Sequence, residues 1–295
     1  MILVGRIREN ILEDFSSISG TAGKDLGRSL AIDHFQITNG SGKLEHPSDG
    51  SREAEITNIN LDLQQIRLDS TTITAAPYIK YGGITLEVGN IYTQTFENYY
   101  DIMLGAINVS SSDSTVSLDS LQIEPRYPRY KFAQEYGFEI DRISVDIPSI
   151  SVSDIDLQGL WEKRVVAEKI SISQALLDIF HDKHLPAGSK SVRKLPQQTF
   201  FELPMFVNID TLSIDNSRIT YSEHLPQPSV AGEVIFADLS ATIVDLQNNS
   251  EKPVKLSAQA SLMESSLLQV NATFPNTENG THWLTGSRGR WRCRR

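Results

Sequence analysis

Apolar and polar residues alternate with a period of two along most of the chain. Ile59, Leu61 and Leu63 alternate with Asn60 and Asp62, and Ile143, Val145 and Ile147 alternate with Ser144 and Asp146. Ile150, Val152, Ile155 and Leu157 carry the pattern on, and Leu256–Phe274 reads as two further strands with Val270 and Phe274 on one face. Such alternation predicts strands with one buried and one wet face. Thr, Ile and Val supply the strand propensity, while Ser, Asn, Asp and Gly supply the turns. Helical spacing is scarce. Ile7, Ile11, Leu12 and Phe15 fit a short helix, Pro196–Leu203 fits one helical turn, and Asn98–Leu104 fits a helix or a strand. Nothing alternates strand with helix as a doubly wound fold requires.

One local pattern recurs: apolar, any, apolar, acidic, any, apolar, any, apolar. It runs from Leu30 to Ile37, Val116 to Ile123, Phe138 to Val145, Val165 to Ile172 and Val207 to Ile214. The step of three across the acidic residue breaks the period of two, and a flat strand would turn its second half outward. A bulge or tight bend restores the facing, so kinks are expected at Asp33, Asp119, Asp141, Glu168 and Asp210. Repeated kinks curve a sheet into a trough. The copies follow no fixed period, so a strict solenoid is excluded and a long antiparallel meander fits better. Hairpin connections are expected at Asn39-Gly40 and Asn216-Ser217. The fold class is therefore all-β: a long, curved, mainly antiparallel sheet forming a groove, with one or two short helices.

The polar, basic run His181–Gln198 holds two prolines and reads as an exposed linker. It divides the chain into an N-terminal β-repeat block (1–182), a linker (183–198) and a C-terminal β block (199–285). Residues 286–295 (GSRGRWRCRR) break the alternation and read as a disordered or out-of-frame tail.

Charge sharpens the picture. The net charge is −10, yet five of the last eight residues are arginines, so residues 1–287 carry −15. A body that acidic argues against wrapping nucleic acid, which needs a basic face. It also argues against lying flat on anionic headgroups. The single cysteine, Cys293, leaves the body without disulfides or thiolate chemistry. No run of about 20 apolar residues is present to span a membrane, and no apolar stretch follows Arg6 and Arg8 as a signal peptide requires.

No catalytic constellation emerges, and the chain is expected to be non-enzymatic, with no catalytic residue, metal or cofactor. His181 and His184, with Asp182 between them, are the one close histidine pair, but they lack a partner motif and fall in the charged linker. The acidic residues sit at bends, where Asp satisfies turn backbone groups. There is no Gly-x-Ser-x-Gly, P-loop or dinucleotide fingerprint. The tyrosines and arginines from Pro125 to Phe138 could stack on single-stranded nucleic acid, but in an acidic body they read as a strand edge with packed rings.

The run Leu203–Glu223, with Ile209-Asp210-Thr211-Leu212-Ser213-Ile214 and Ile219-Thr220-Tyr221-Ser222-Glu223, resembles a strand element of AsmA-like proteins. Val234–Ile243 is similar to that family's next strand, and Ile140–Val152 and Val165–Asp178 look like earlier repeats. About two-thirds of the chain is covered, by degenerate motifs. The resemblance implies a repeating β-groove protein of the bacterial envelope that binds or conducts lipid or assists outer-membrane assembly. Its implied partners are lipid acyl chains or envelope proteins, not nucleic acid. Its implied location is the periplasm, anchored in the inner membrane through an N-terminal helix this sequence does not show, as in a fragment of a longer product. The candidate apolar groove lining is Ile140, Ile143, Val145, Val207, Ile209, Leu212, Ile214 and Phe236. The competing reading from the residues alone is a structural or adhesive β-protein whose apolar faces pack on each other.

Overall fold

A computed structural model of the chain describes residues 30–46, 52–68, 81–95, 99–186, 200–227, 230–249, 252–274 and 283–288. They form one sheet of seventeen strand segments. In chain order these are β1 (Leu30–Glu45), β2 (Arg52–Leu68), β3 (Gly83–Val88), β4 (Asn90–Thr95), β5 (Tyr100–Leu104), β6 (Ile107–Ser110), β7 (Thr115–Leu118) and β8 (Leu121–Pro125). They continue as β9 (Asp141–Ile147), β10 (Ser149–Ser153), β11 (Arg164–Ser173), β12 (Leu176–Asp182), β13 (Phe206–His224), β14 (Gly232–Gln247), β15 (Val254–Leu262), β16 (Ser266–Phe274) and β17 (Trp283–Arg288).

Five pairs of segments, β3/β4, β5/β6, β7/β8, β9/β10 and β11/β12, are the two halves of one broken strand, so the sheet has twelve strand paths. Each path pairs with the next in sequence. All neighbours are antiparallel except β11/β12 against β13, which run parallel. The all-β, long curved sheet expected from the alternation is what the chain forms. It continues across the linker segment, because β12 pairs directly with β13. Among the described residues no helix is long and apolar enough to cross a membrane.

The kinks align. The facing of the strand steps by three on nine consecutive paths: 37 to 40, 56 to 59, 88 to 91, 104 to 107, 118 to 121, 147 to 150, 172 to 175, 214 to 217 and 236 to 239, with apolar residues at all of these positions but Gly40 and Ser217. These steps lie at one level of the sheet, as the pairs Val88↔Ile107, Ile107↔Leu118, Leu118↔Ile150, Ile150↔Ile172 and Ile172↔Ile214 show. A crease therefore crosses from β1 to β14. The residues that make it are small, polar or proline. Asn39, Asn58, Gln174, Asn216 and Asp238 take left-handed φ of 51, 54, 58, 48 and 49°. Pro148 separates β9 from β10.

Asp119 lies on this crease as expected. Glu168 and Asp210 lie opposite each other, six residues below it, at a level the β11–β13 ladder skips. Asp245 stands opposite Asp210 with φ 61°. Asp33 interrupts the β1–β2 ladder opposite Gln65, which has φ 52°. Asp141 is different: it starts β9 and makes no mid-strand kink.

Other expectations need correction. Asn39-Gly40 and Asn216-Ser217 are not hairpins; each sits inside a long strand, where a left-handed Asn makes a bulge instead of reversing the chain. Asn98–Leu104 resolves to β5 for its described part. The Arg-Tyr run is not a strand edge but the helix α1 (Arg129–Tyr136), set off by Pro128 and closed by Gly137 at φ 90°. Gly286–Arg288 are strand residues of β17, paired to β16, so the break in pattern at Gly286 does not end the sheet. The helix expected at Ile7–Phe15 and the rest of the tail lie outside the described residues.

Candidate functional site: an apolar ladder across the sheet

Below the crease, one apolar residue from each strand path lines up across the whole sheet. The row is Ile37, Leu61, Leu86, Val109, Val116, Val152, Ile170, Leu212, Ile243, Leu256, Ala272 and Leu284, each the direct register partner of the next. At strand spacing this row extends roughly 50 Å. A second row beside it runs Val88, Ile107, Leu118, Ile150, Ile172, Ile214, Ala241, Ala258 and Val270.

The residues between these rows point to the other face and are polar throughout: Asn60, Glu87, Asn108, Ser117, Ser151, Ser171, Ser213, Thr242, Ser257 and Asn271. Some bond across strands, Ser213 Oγ to Ser171 Oγ at 3.2 Å and Asn108 Nδ2 to Ser117 Oγ at 3.4 Å. Period two on every strand, held in register on every pair, makes one face apolar and the other wet.

Above the crease the apolar face continues. Ile91, Leu104, Leu121 and Ile147 form one row, and Ile102, Ile123, Val145, Leu177, Ile219, Phe236 and Leu262 another. The step of three at each path is what keeps both panels in phase.

From Leu61 to Leu256 the ladder side chains are half-buried, and Ala272 is buried at 5% exposure. Leu61, Leu86, Val109, Val116, Val152, Ile170, Leu212, Ile243 and Leu256 all retain solvent contact, and Ile37 is 36% exposed. The fully buried side chains lie elsewhere: Phe132 on α1 and Phe180 and Ser222 at the upper strand ends. Lateral neighbours shield the ladder, but it lacks the burial of a face packed against a second layer. The helix α1 sits at the strand ends. Phe132 packs on Tyr99 and Tyr100 with ring centroids 5.8 and 5.3 Å apart, Tyr130 packs on Phe180 at 5.3 Å, and Arg129 bonds Asp178 at 2.7 Å.

The sequence-selected lining residues distribute over this face. Leu212 and Ile214 fall in the two rows below the crease, and Val145 and Phe236 share a row above it. Val207 and Ile209 lie below the Asp210 level, buried beside Val165 and Ala167. Ile143 pairs with Ile179 and is 37% exposed. Ile140 precedes β9 and belongs to no row. Most of the ladder, from Ile37 to Ile170 and from Ile243 to Leu284, was outside that selection. Its signal was present as apolar residues at matching offsets, but only the pairing shows that they meet.

A second cluster gathers at the upper ends of β12 and β13. His181 and Asp182 are buried strand residues, each 4% exposed, so they are not part of a solvated linker. His181 Nδ1 lies 2.7 Å from Asp141. On the opposite face Asp182 Oδ1 meets His184 Nδ1 at 2.7 Å and His224 Nδ1 at 3.4 Å. Burial pushes the Asp182 carboxyl up, but the hydrogen bonds from the His184 side chain and backbone outweigh it and hold the group below the ordinary carboxylate range. No protein-family model and no curated protein sequence matches the chain.

Proposed function

We propose that the apolar face holds lipid acyl chains, and that the chain is a non-enzymatic β-groove protein of the cell envelope, of AsmA-like type. The observation that carries this reading is the unbroken ladder of apolar side chains from Ile37 to Ala272 across eleven strand paths, most of them only partly buried and backed by a polar row. Isolated exposed apolar residues are ordinary, but a contiguous apolar strip of this length marks a binding surface. Each methylene that an acyl chain buries there contributes about 0.8 kcal/mol. The strip runs perpendicular to the strands, so every strand path offers an equivalent step, and a chain can slide without passing a polar barrier. That suits conduction as well as storage. The acidic body keeps the outer surface from adsorbing on anionic headgroups, which favours a periplasmic protein handing lipid between membranes or assisting outer-membrane assembly.

The test is mass spectrometry of organic extracts of the purified protein, combined with uptake of a fluorescent phospholipid. Co-purifying phospholipid and saturable uptake are expected. A preparation with neither would support the competing reading of a structural β-protein without a ligand.

A further inference from the structure

We infer that Asp182, His184 and His224 form a binding site for one divalent transition-metal cation, with Zn2+ the best match. The three ligating atoms lie within 4.8 Å of one another. Asp182 and His224 are direct register partners on the parallel strands β12 and β13, so the pairing fixes their side chains together. His184 lies in the turn just after β12. That turn is held by the His184 N–H, which donates to Asp182 Oδ1 at 3.1 Å, and by the Lys183 N–H, which donates to the His224 carbonyl at 2.9 Å.

The geometry fits a small cation. With metal–ligand bonds of about 2.0–2.2 Å in a tetrahedron, neighbouring ligand atoms stand about 3.3–3.6 Å apart. His224 Nδ1 and Asp182 Oδ1 are already 3.4 Å apart. His184 Nδ1, at 2.7 Å, need withdraw by less than about 1 Å to match that tetrahedral separation. Its side chain is 39% exposed and sits on a turn, so it has room to do so.

The chemistry fits as well. Two imidazoles and one carboxylate are the borderline donor set that Zn2+ prefers, and three protein ligands leave a fourth position to solvent. The Asp182 carboxylate is 5% exposed, where an anion requires compensation. The obvious local cation does not supply it, because Lys183 Nζ pairs with Glu223 at 2.8 Å. The His224 ring is held in place by the Tyr130 edge at 5.1 Å and by Phe180. Such packing pre-organises a ligand. His181 takes no part, because it leaves β12 on the other face toward Asp141. A bound cation would tie the turn that opens the crossover to the end of β13, at the one parallel junction of the sheet.

The experiment uses the full chain, stripped with chelator and titrated with Zn2+ by calorimetry, beside His184→Ala and the control His34→Ala. His184 is half-exposed, so its removal leaves the fold intact by circular dichroism. One Zn2+ per chain is expected for the parent and for His34→Ala, with affinity at least ~100-fold weaker in His184→Ala. Co2+ substitution of the parent gives a second readout that needs no variant: the intense visible absorption of a four-coordinate ion is expected. Equal Zn2+ affinity in the parent and His184→Ala, or only the pale spectrum of hydrated Co2+, would overturn the site.

Discussion

Ile170 on β11 and Leu212 on β13 are direct register neighbours on parallel strands, at the same place in two copies of one sequence pattern. Val165 pairs with Val207, Ala167 with Ile209 and Ile172 with Ile214 in the same way. The repeat is therefore not decoration along the chain. Laid side by side in register, its copies put apolar beside apolar and acid beside acid, and they extend the ladder sideways. Elsewhere antiparallel pairing achieves the same match, because period-two alternation survives reversal of the strand.

The apolar and polar rows make opposite predictions for one charge. Leu212→Asp places a carboxylate in the ladder, between Ile170 and Ile243. It should weaken phospholipid uptake at least ~10-fold and cost about 1–3 kcal/mol of stability. Ser213→Asp, one residue away on the polar face, should change neither uptake nor stability by more than about 0.5 kcal/mol. Fluorescent-lipid titration and urea denaturation of both variants check this. Equal uptake by the two would remove the ladder from the mechanism.

The crease rests on residues that tolerate a left-handed backbone. Asn216 holds φ 48° inside β13. A β-branched residue there meets the steric cost of that region, so Asn216→Val should cost about 1–2 kcal/mol, whereas Asn216→Gly should be tolerated. Thermal denaturation distinguishes them. If valine is as stable as glycine, the left-handed geometry is not what holds the bulge.

The sheet was legible because alternation survives in nearly every strand, and so was the idea of repeated kinks, though not their alignment. The place of the kinks was read only in part. The acid-keyed pattern found Asp119 on the main crease and Glu168 and Asp210 on the lower level. It missed the other eight crossings, because Asn39, Asn58, Gly89, Gly105, Pro148, Gln174, Asn216 and Asp238 break the phase by different means. What they share is a step of three between residues on one face, a geometric property that no single residue type marks. The Asn-Gly and Asn-Ser pairs were misread for the same reason: a left-handed Asn serves a bulge as well as a hairpin, and only the neighbouring strand decides. The helix α1 was hidden because its aromatics match strand propensity, and its eight residues are stabilised by packing on Tyr99, Tyr100 and Phe180. His224 was invisible as a partner of Asp182 because parallel register, not sequence distance, brings them together.

Phe180 carries much of the contact between that helix and the sheet. It is 1% exposed, with the Tyr130 ring edge-on and the Arg129 guanidinium 5.6 Å from its centroid. Phe180→Ala should cost about 3–5 kcal/mol, and Tyr130→Ala, at a ring 50% exposed, clearly less. Urea midpoints give the difference. A loss in Phe180→Ala no larger than in Tyr130→Ala would mean that α1 contributes little to holding the strand ends.

Tyr100 links stability to alkaline pH. Its hydroxyl accepts a hydrogen bond from the Ile143 N–H at 3.2 Å and reaches the Asp141 carbonyl at 3.5 Å. Burial pushes its phenol above the ordinary value, more than the Ile143 N–H and the Arg142 charge pull it back. The folded chain therefore keeps the proton that the unfolded chain gives up near pH ~10. Tyr100's contribution is complete below that pH and is lost as pH rises through the raised folded value. Tyr100→Phe leaves the Ile143 N–H without this acceptor and should cost about 1 kcal/mol at pH 7. The gap between parent and variant should then narrow above pH ~10, as the parent alone loses stability to this ionisation. Tyr81 is also raised by burial, but it is common to both proteins and cancels in the comparison. Urea denaturation of the pair at neutral and alkaline pH measures the gap, and a constant gap across that range would show that the Tyr100 phenol titrates alike in the folded and unfolded chains.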